Sequence, residues 1–307
     1  MFKHVSKKAM SLALASILVA GVAAGCGNKE EKKDGAASSS PSASTAPSTS
    51  PSTAPSKSPE ITGTVTASGS TALQPLVQQA ATEFMNKNPK VTVQVTGGGS
   101  GTGVKNVADG VSSIGNSDVE ADAQYKDKLV EHIVAIAPFA LIVNKDVKVE
   151  NLTKQQAADI YSGKITNWKE VGGEDKKIQL IHRQDSSGSR KLVASIIMNG
   201  AAFSKEGVTQ DSSKTVAEAV GTTSGSIGYV DTPYLTEATK ALKIDDVAYS
   251  KEAIKDGKYP LYGVERMYTK GQPDAVTKAF LDYILSKEFQ EGQVEKLKFL
   301  PANLLKK

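Results

Sequence analysis

The chain has 307 residues, 39% hydrophobic and 6% aromatic, with 37 basic and 33 acidic residues and a net charge of +4. This is enough apolar material for a packed core and excludes a globally disordered chain. One cysteine excludes a disulfide framework and a cysteine-cluster zinc site within the chain, and three histidines (His4, His132 and His182) leave little for a metal centre. From Cys26 onward 34 basic residues stand against 33 acidic ones, a net +1. Nucleic-acid binders carry a far larger basic excess, so no nucleic-acid partner is expected.

Lys3, Lys7 and Lys8 precede an apolar stretch from Ala9 to Ala24. This is the charged-then-apolar order of a secretory signal peptide, assigned to residues 1–25. It is short and rich in small residues, so it spans a bilayer poorly. It ends Val22-Ala23-Ala24-Gly25-Cys26. Small residues before a lone cysteine resemble a bacterial lipoprotein lipobox, with Ala23 where Leu is usual. That resemblance implies cleavage before Cys26 and a lipid on its sulfur. The alternative is an ordinary secretory signal with an incidental cysteine. From Ala36 to Pro59 every residue except Lys57 is Ser, Ala, Thr or Pro. Such a segment buries too little apolar area to offset its ordering entropy, so residues 26–59 are expected to be an extended, disordered tether.

The body begins at Glu60 and holds 30 basic and 30 acidic residues. Strand-like and helix-like segments alternate along it. Ile61–Ala67 alternates as a strand, and Ala72–Asn86 places Leu73, Leu76, Val77, Ala80, Ala81 and Phe84 at helical spacing before Asn88-Pro89 stops it. Val91–Val95 is a second strand, followed by a glycine run and a helical piece to Asp109-Gly110. Val111–Gly115 is a short strand. Ile133–Val143 is almost wholly apolar, as a buried strand requires. Thr153 and Gln156 form a capping box before a helix that ends near Gly163. Strands at Ile178–His182, Ser226–Val230 and Pro260–Tyr268, and helices at Lys191–Met198, Ala275–Leu285 and Phe289–Leu297, complete the pattern. Such alternation predicts an α/β fold, in which ligands sit beyond the carboxyl ends of strands where helices begin.

Three such junctions share one chemistry. They are Ser68-Gly69-Ser70-Thr71, then Gly97-Gly98-Gly99-Ser100-Gly101-Thr102-Gly103, and Arg183-Gln184-Asp185-Ser186-Ser187-Gly188-Ser189-Arg190. Unpaired N–H groups and the positive dipole end of a helix suit an anion, and glycine and hydroxyls let it approach and bind. Each junction alone also matches an ordinary N-cap or turn. Together they would build an oxyanion cage. The glycine run lacks the Lys and the Ser or Thr of a P-loop, because Val104 and Lys105 stand there. Arg183 offers a bidentate fork to an oxyanion, and Asp185 either holds that fork or forms a surface ion pair. Asp118 follows the strand candidate at 111–115; a carboxylate beside an anion fits only if the ligand brings a proton. No catalytic residue and no metal ligand is assigned. His182 near Asp185 and Ser187 reads as a packed residue rather than a triad member.

The signal peptide, Ser70-Thr71, Gly97-Gly98-Gly99-Ser100-Gly101, Asp118 and the Arg183-x-Asp185-x-Ser187-Gly188-Ser189 motif together resemble the phosphate-binding proteins of bacterial high-affinity phosphate ABC transporters. Gly163-Lys164-Ile165-Thr166-Asn167-Trp168 and Gly225-Ser226-Ile227-Gly228-Tyr229 add to it. The resemblance implies a two-lobed class II periplasmic-binding-protein fold with two crossover strands, near Phe139–Val143 and Tyr259–Tyr262, and a ligand cleft. One lobe is then 60–140 plus 260–307 and the other 141–259. It implies phosphate contacts from Ser70, Thr71, Ser100 and Asp118 on one side and Arg183, Ser187, Gly188 and Ser189 on the other, with Asp185 supporting. It further implies a monomeric, non-enzymatic receptor without cofactor, lipid-anchored outside the cytoplasm through Cys26 and delivering phosphate to permease subunits. Asp118 would accept a hydrogen bond from the phosphate O–H and confront sulfate with a bare charge. The other readings are a receptor for sulfate or molybdate, a secreted phosphoester hydrolase, and a surface adhesion or scaffolding protein on the same fold.

Overall fold

A computed structural model describes residues 60–305. The signal peptide, Cys26 and the tether lie outside the described residues. The strands are β1 (Gly63–Gly69), β2 (Val91–Gly98), β3 (Ile114–Ser117), β4 (Leu129–Asn144), β5 (Asn151–Leu152), β6 (Gln179–Arg183), β7 (Val208–Gln210), β8 (Ser226–Asp231), β9 (Thr239–Ala241), β10 (Lys243–Ile244), β11 (Tyr262–Lys270) and β12 (Leu300–Pro301). The helices are α1 (Gln74–Lys87), α2 (Ser100–Asp109), α3 (Ala123–Lys126), α4 (Lys154–Tyr161), α5 (Gly188–Ile196), α6 (Ser213–Thr222), α7 (Lys251–Lys255), α8 (Ala275–Leu285) and α9 (Lys287–Gly292).

One curled, mixed sheet runs β2-β1-β3-β11-β4-β8-β6-β7. The pairs β1–β2, β1–β3, β6–β7 and β6–β8 are parallel, whereas β11 and β4 run antiparallel through the middle. β4 is buried from Val134 to Val143, which explains its unbroken apolar run. It also serves two cores. Val134, Ala135 and Ala137 pack with α1, α8 and Phe289; Phe139, Leu141 and Val143 pack with Tyr161, Trp168, Tyr229 and Tyr259. This is the mixed α/β architecture expected from the sequence, built on a curled sheet, with Phe139 N–H bonded to Leu261 O (3.0 Å) where the two long strands leave the first core.

Local chemistry sets the boundaries. α1 buries Leu76, Val77, Ala80, Ala81 and Phe84 on one stripe and sets Phe84 against Phe280 of α8, the rings tilted by 60° with centroids 5.4 Å apart. α4 starts at the foreseen capping box of Thr153 and Gln156. Other elements shift. The third strand begins at Ile114 rather than Val111, because Val111 is exposed and Ser113 N–H turns to Thr66 Oγ1 (2.9 Å). α5 starts at Gly188, three residues before the expected Lys191, because Ser187 caps it by accepting from Arg190 N–H. The last helix, expected over 289–297, is capped by Ser286 and stops at Gly292; Val294 and Phe299 reach the core from turns instead. α6 was not anticipated. Its capping box is Ser212 with Thr215, and it brings another helix start to the cleft.

Candidate functional site

The carboxyl ends of β1, β2, β3, β6 and β8 and the N-terminal ends of α2, α5 and α6 meet at one place. Ser70, Thr71, Ser100, Asp118, Arg183, Ser187 and Ser189 are all buried there. Gly188 is buried as well and packs against Ser100 and Asp118, so all eight expected contact residues are inside.

Arg183 is the electrostatic centre. Its side chain is 2% exposed. Nη1 donates to Ser213 Oγ (3.1 Å), and Nη2 donates to Thr71 Oγ1 (3.0 Å) and the Asp211 carbonyl (3.3 Å). Nε is buried without a hydrogen-bond partner in the protein. Asp185 does not hold this fork, contrary to expectation. It lies in the solvent-facing turn before α5, 97% exposed, and pairs with Arg190 Nε at 3.2 Å. The strand direction of β6 sends Arg183 inward while the turn carries Asp185 out, so sequence proximity misleads. Arg190 itself lies over the Phe203 ring, 4.0 Å from its centroid.

Opposite Arg183 stands Asp118. Ser70 Oγ donates to its Oδ1, while the Ala72 and Leu73 N–H groups donate to Ser70 Oγ (3.1 and 3.0 Å). Asp118 N–H donates to Ser100 Oγ (3.0 Å). Burial raises the Asp118 carboxyl above the usual carboxylate range, and Ser70, the neighbouring Glu265, the Arg183 charge and Ser100 offset only part of that. Gly99 (φ +88°) is the N-cap of α2, where the backbone faces Ser186 too closely for any side chain.

Two further buried acids share the site and were not anticipated. Asp231, at the end of β8, accepts from Ser189 Oγ and Ser213 Oγ (3.3 Å each), and its Oδ1 is unpartnered. Burial, reinforced by the Asp118 charge, pushes its carboxyl up to about 7. Glu265, on β11, is fully buried. A readable signal existed for it: Gly263, Glu265 and Met267 alternate on the inward face of the strand, a position where a carboxylate is unusual.

The raised Asp231 value makes stability pH-dependent. The folded protein holds the proton that an unfolded Asp, with its ordinary pKa of 3.8, has lost. This contribution is fully present below the unfolded value and is lost as pH rises through about 7. Between about pH 6 and about pH 8 the ligand-free wild type should therefore lose ~1 kcal/mol, or ~3 °C, relative to Asp231→Asn. A stability difference between the two proteins that stays constant across this range would show that Asp231 does not titrate there.

The two sides of the site touch directly. Gly101 N–H donates to Ser186 O (2.9 Å), Ser186 Oγ to Gly98 O (3.1 Å), and Tyr234 OH to Thr71 O (2.6 Å). Lys191 pairs with Asp122 at 3.1 Å on the rim. The arrangement is a closed cleft built from one guanidinium, several hydroxyls, helix N-termini and a facing carboxylate. Among the described residues no group of three His, Cys, Asp or Glu side chains is arranged to hold a metal ion.

Comparison with known proteins shows the family of the chain. A family model described as a PBP superfamily domain matches residues 48–288. The phosphate-binding protein PstS of Bacillus subtilis is 38% identical over 305 residues, covering 98% of this chain and 96% of that one. The chain belongs to the PstS phosphate-binding proteins of the PBP superfamily. PstS of Borreliella burgdorferi is 28% identical across 74% of this chain and 86% of its own. A Clostridium perfringens phosphate ABC transporter substrate-binding protein, solved with bound phosphate, superposes with a TM-score of 0.74 at 32% identity, covering 78% of this chain and 99% of that one. An ABC-type phosphate transport receptor from Vibrio cholerae superposes with a TM-score of 0.65 at 25% identity, covering 77% and 99%.

Proposed function

We propose that this chain is a receptor, not an enzyme, that captures inorganic phosphate in its closed cleft and passes it to the permease of an ABC transporter. The PstS relatives and the phosphate-bound neighbour support the ligand and the transporter. The observation that carries the reading is the buried Arg183 facing the buried Asp118 across a ring of hydroxyls. Ser70, Thr71, Ser100 and Asp118 serve from the lobe 60–140 plus 260–307, and Arg183, Ser187, Gly188 and Ser189 from the lobe 141–259. Phosphate brings both charge for the guanidinium and a proton for the carboxylate. Sulfate brings charge alone, so Asp118 would meet it acceptor to acceptor. The protein acts outside the cytoplasm as a monomer, held to the membrane by a lipid on Cys26. Among the described residues no helix is long and apolar enough to cross a membrane.

The test is calorimetric titration of the anion-stripped chain with phosphate and then sulfate. Strong phosphate heat with no sulfate response is expected. A folded sample silent to both anions would end the phosphate reading, and equal response to both would favour the general oxyanion receptor.

Gly188 gives a second check on the geometry. A Cβ there would press on Ser100 Oγ and lie 2.5 Å from Asp118 Oδ2. Alanine suits the first turn of α5, so Gly188→Ala should fold normally. It should nevertheless weaken phosphate by at least about tenfold, because closure is obstructed. Unchanged affinity with native circular dichroism would mean that the cleft need not close this far.

A further inference from the structure

Asp118 and Asp231 are each reached by a serine hydroxyl, whereas neither Glu265 oxygen has a conventional donor within the protein. Glu265 is nonetheless fully buried. Its place is set by strand register. β11 runs antiparallel to β3 with Arg266 opposite Ser117, so Glu265 lies opposite Asp118, one step on. On the other side of β11 the register with β4 slips between Glu265 and Arg266, a bulge of the kind that re-aims a side chain. Register and burial set its carboxyl beside that of Asp118: a Cβ at Gly263 would lie 3.3 Å from both Glu265 Oε1 and the Asp118 carbonyl oxygen. Two ionised carboxylates have no hydrogen to share, so this contact is a hydrogen bond only while one of them keeps its proton.

The surroundings decide which one. Facing Glu265 are the charges of Asp118 from the end of β3 and Asp231 from β8, both opposing its ionisation; Arg266, its neighbour on β11, favours it weakly. Arg266 turns away to Glu131, at 2.6 Å. β4 contributes Ala135, and α5 contributes Leu192 against Gly263. Asp118, by contrast, has Ser70, Ser100 and Arg183 to support a negative charge.

We propose that Glu265 is a positioning residue for phosphate: it stays protonated, donates its hydrogen to Asp118, and so holds Asp118 as the charged acceptor that reads the phosphate proton. The proton rests on Glu265 and the charge on Asp118. This rests on the phosphate reading above and deepens it, since selectivity then belongs to a carboxyl pair rather than to one residue. It also gives capture an alkaline limit: once Glu265 ionises, two adjacent buried charges oppose the anion.

The experiment measures phosphate and sulfate affinities of the full chain, stripped of anion, from about pH 6 to about pH 10, for wild type, Glu265→Met and Glu265→Gln. Methionine removes the donor, and phosphate affinity should fall at least about tenfold at neutral pH. Glutamine restores an N–H donor that cannot ionise, so it should recover most of that loss. It should also lack the alkaline decline that wild type shows. Circular dichroism confirms folding of each variant. A folded Glu265→Met that matches wild type, or a Glu265→Gln that follows the wild-type alkaline decline, overturns the inference and leaves the phosphate reading standing. A wild type that ignores phosphate at every pH overturns both.

Discussion

Replacing Arg183 with methionine should lower phosphate affinity by about a hundredfold or more. Arg183 is the buried cation of the cleft, and its three hydrogen bonds to Ser213, Thr71 and the Asp211 carbonyl fix its plane. Removing one member of a buried charge pair costs ~2–5 kcal/mol, much of it from the partner left unpaired. Here the loss is compounded, because the Asp118 charge would then face a dianion with no compensating cation in the cleft. Arg183→Lys should fall between the two. An ammonium keeps the charge but cannot reach three separated acceptors from one plane. Titration calorimetry of the three proteins reads this directly. Wild-type affinity in a folded Arg183→Met would place the anion elsewhere.

Asp118→Asn should shift selectivity more than affinity. The amide offers a donor where the carboxylate offers only acceptors, so the penalty against a fully deprotonated anion disappears. Phosphate-over-sulfate preference should fall by at least about tenfold, chiefly because sulfate gains. The Ser70 and Ser100 hydroxyls stay in place to hold the residue. If the asparagine variant still rejects sulfate as wild type does, discrimination resides in Asp231 or in the shape of the cleft. Comparison with Glu265→Gln separates the members of the carboxyl pair, because only Asp118 is expected to touch the anion.

Much of this site was legible because its chemistry is local in sequence. Ser70-Thr71, the glycine run and the segment from Arg183 to Ser189 each lie at a strand end that becomes a helix start, and short-range patterns mark such places. What escaped was contributed by topology. Asp231 and Ser213 come from β8 and α6, and only the pairing of β8 with β6 and β4 brings them near Arg183. Glu265 meets Asp118 across 147 residues of chain because β11 returns to lie beside β3. Asp185 shows the opposite error: two residues from Arg183 in sequence, it emerges on the far side of a turn. The boundaries drifted for a related reason. Strand ends follow their partners, and Gly69 and Gly98 belong to strands because they pair with each other.

The closed cleft has a further consequence. One of its clasps, Gly101 N–H on Ser186 O, is main chain to main chain, and a second ends on the Gly98 carbonyl. Side-chain substitution short of proline cannot delete the first of these. How tightly the cargo is held and how long it is held are therefore set by different atoms. Drift among the anion contacts can change the equilibrium while the backbone clasp keeps a floor under the residence time. Unloading then becomes a mechanical step, in which whatever docks on the rim must pull a pair of peptide groups apart before the anion can leave.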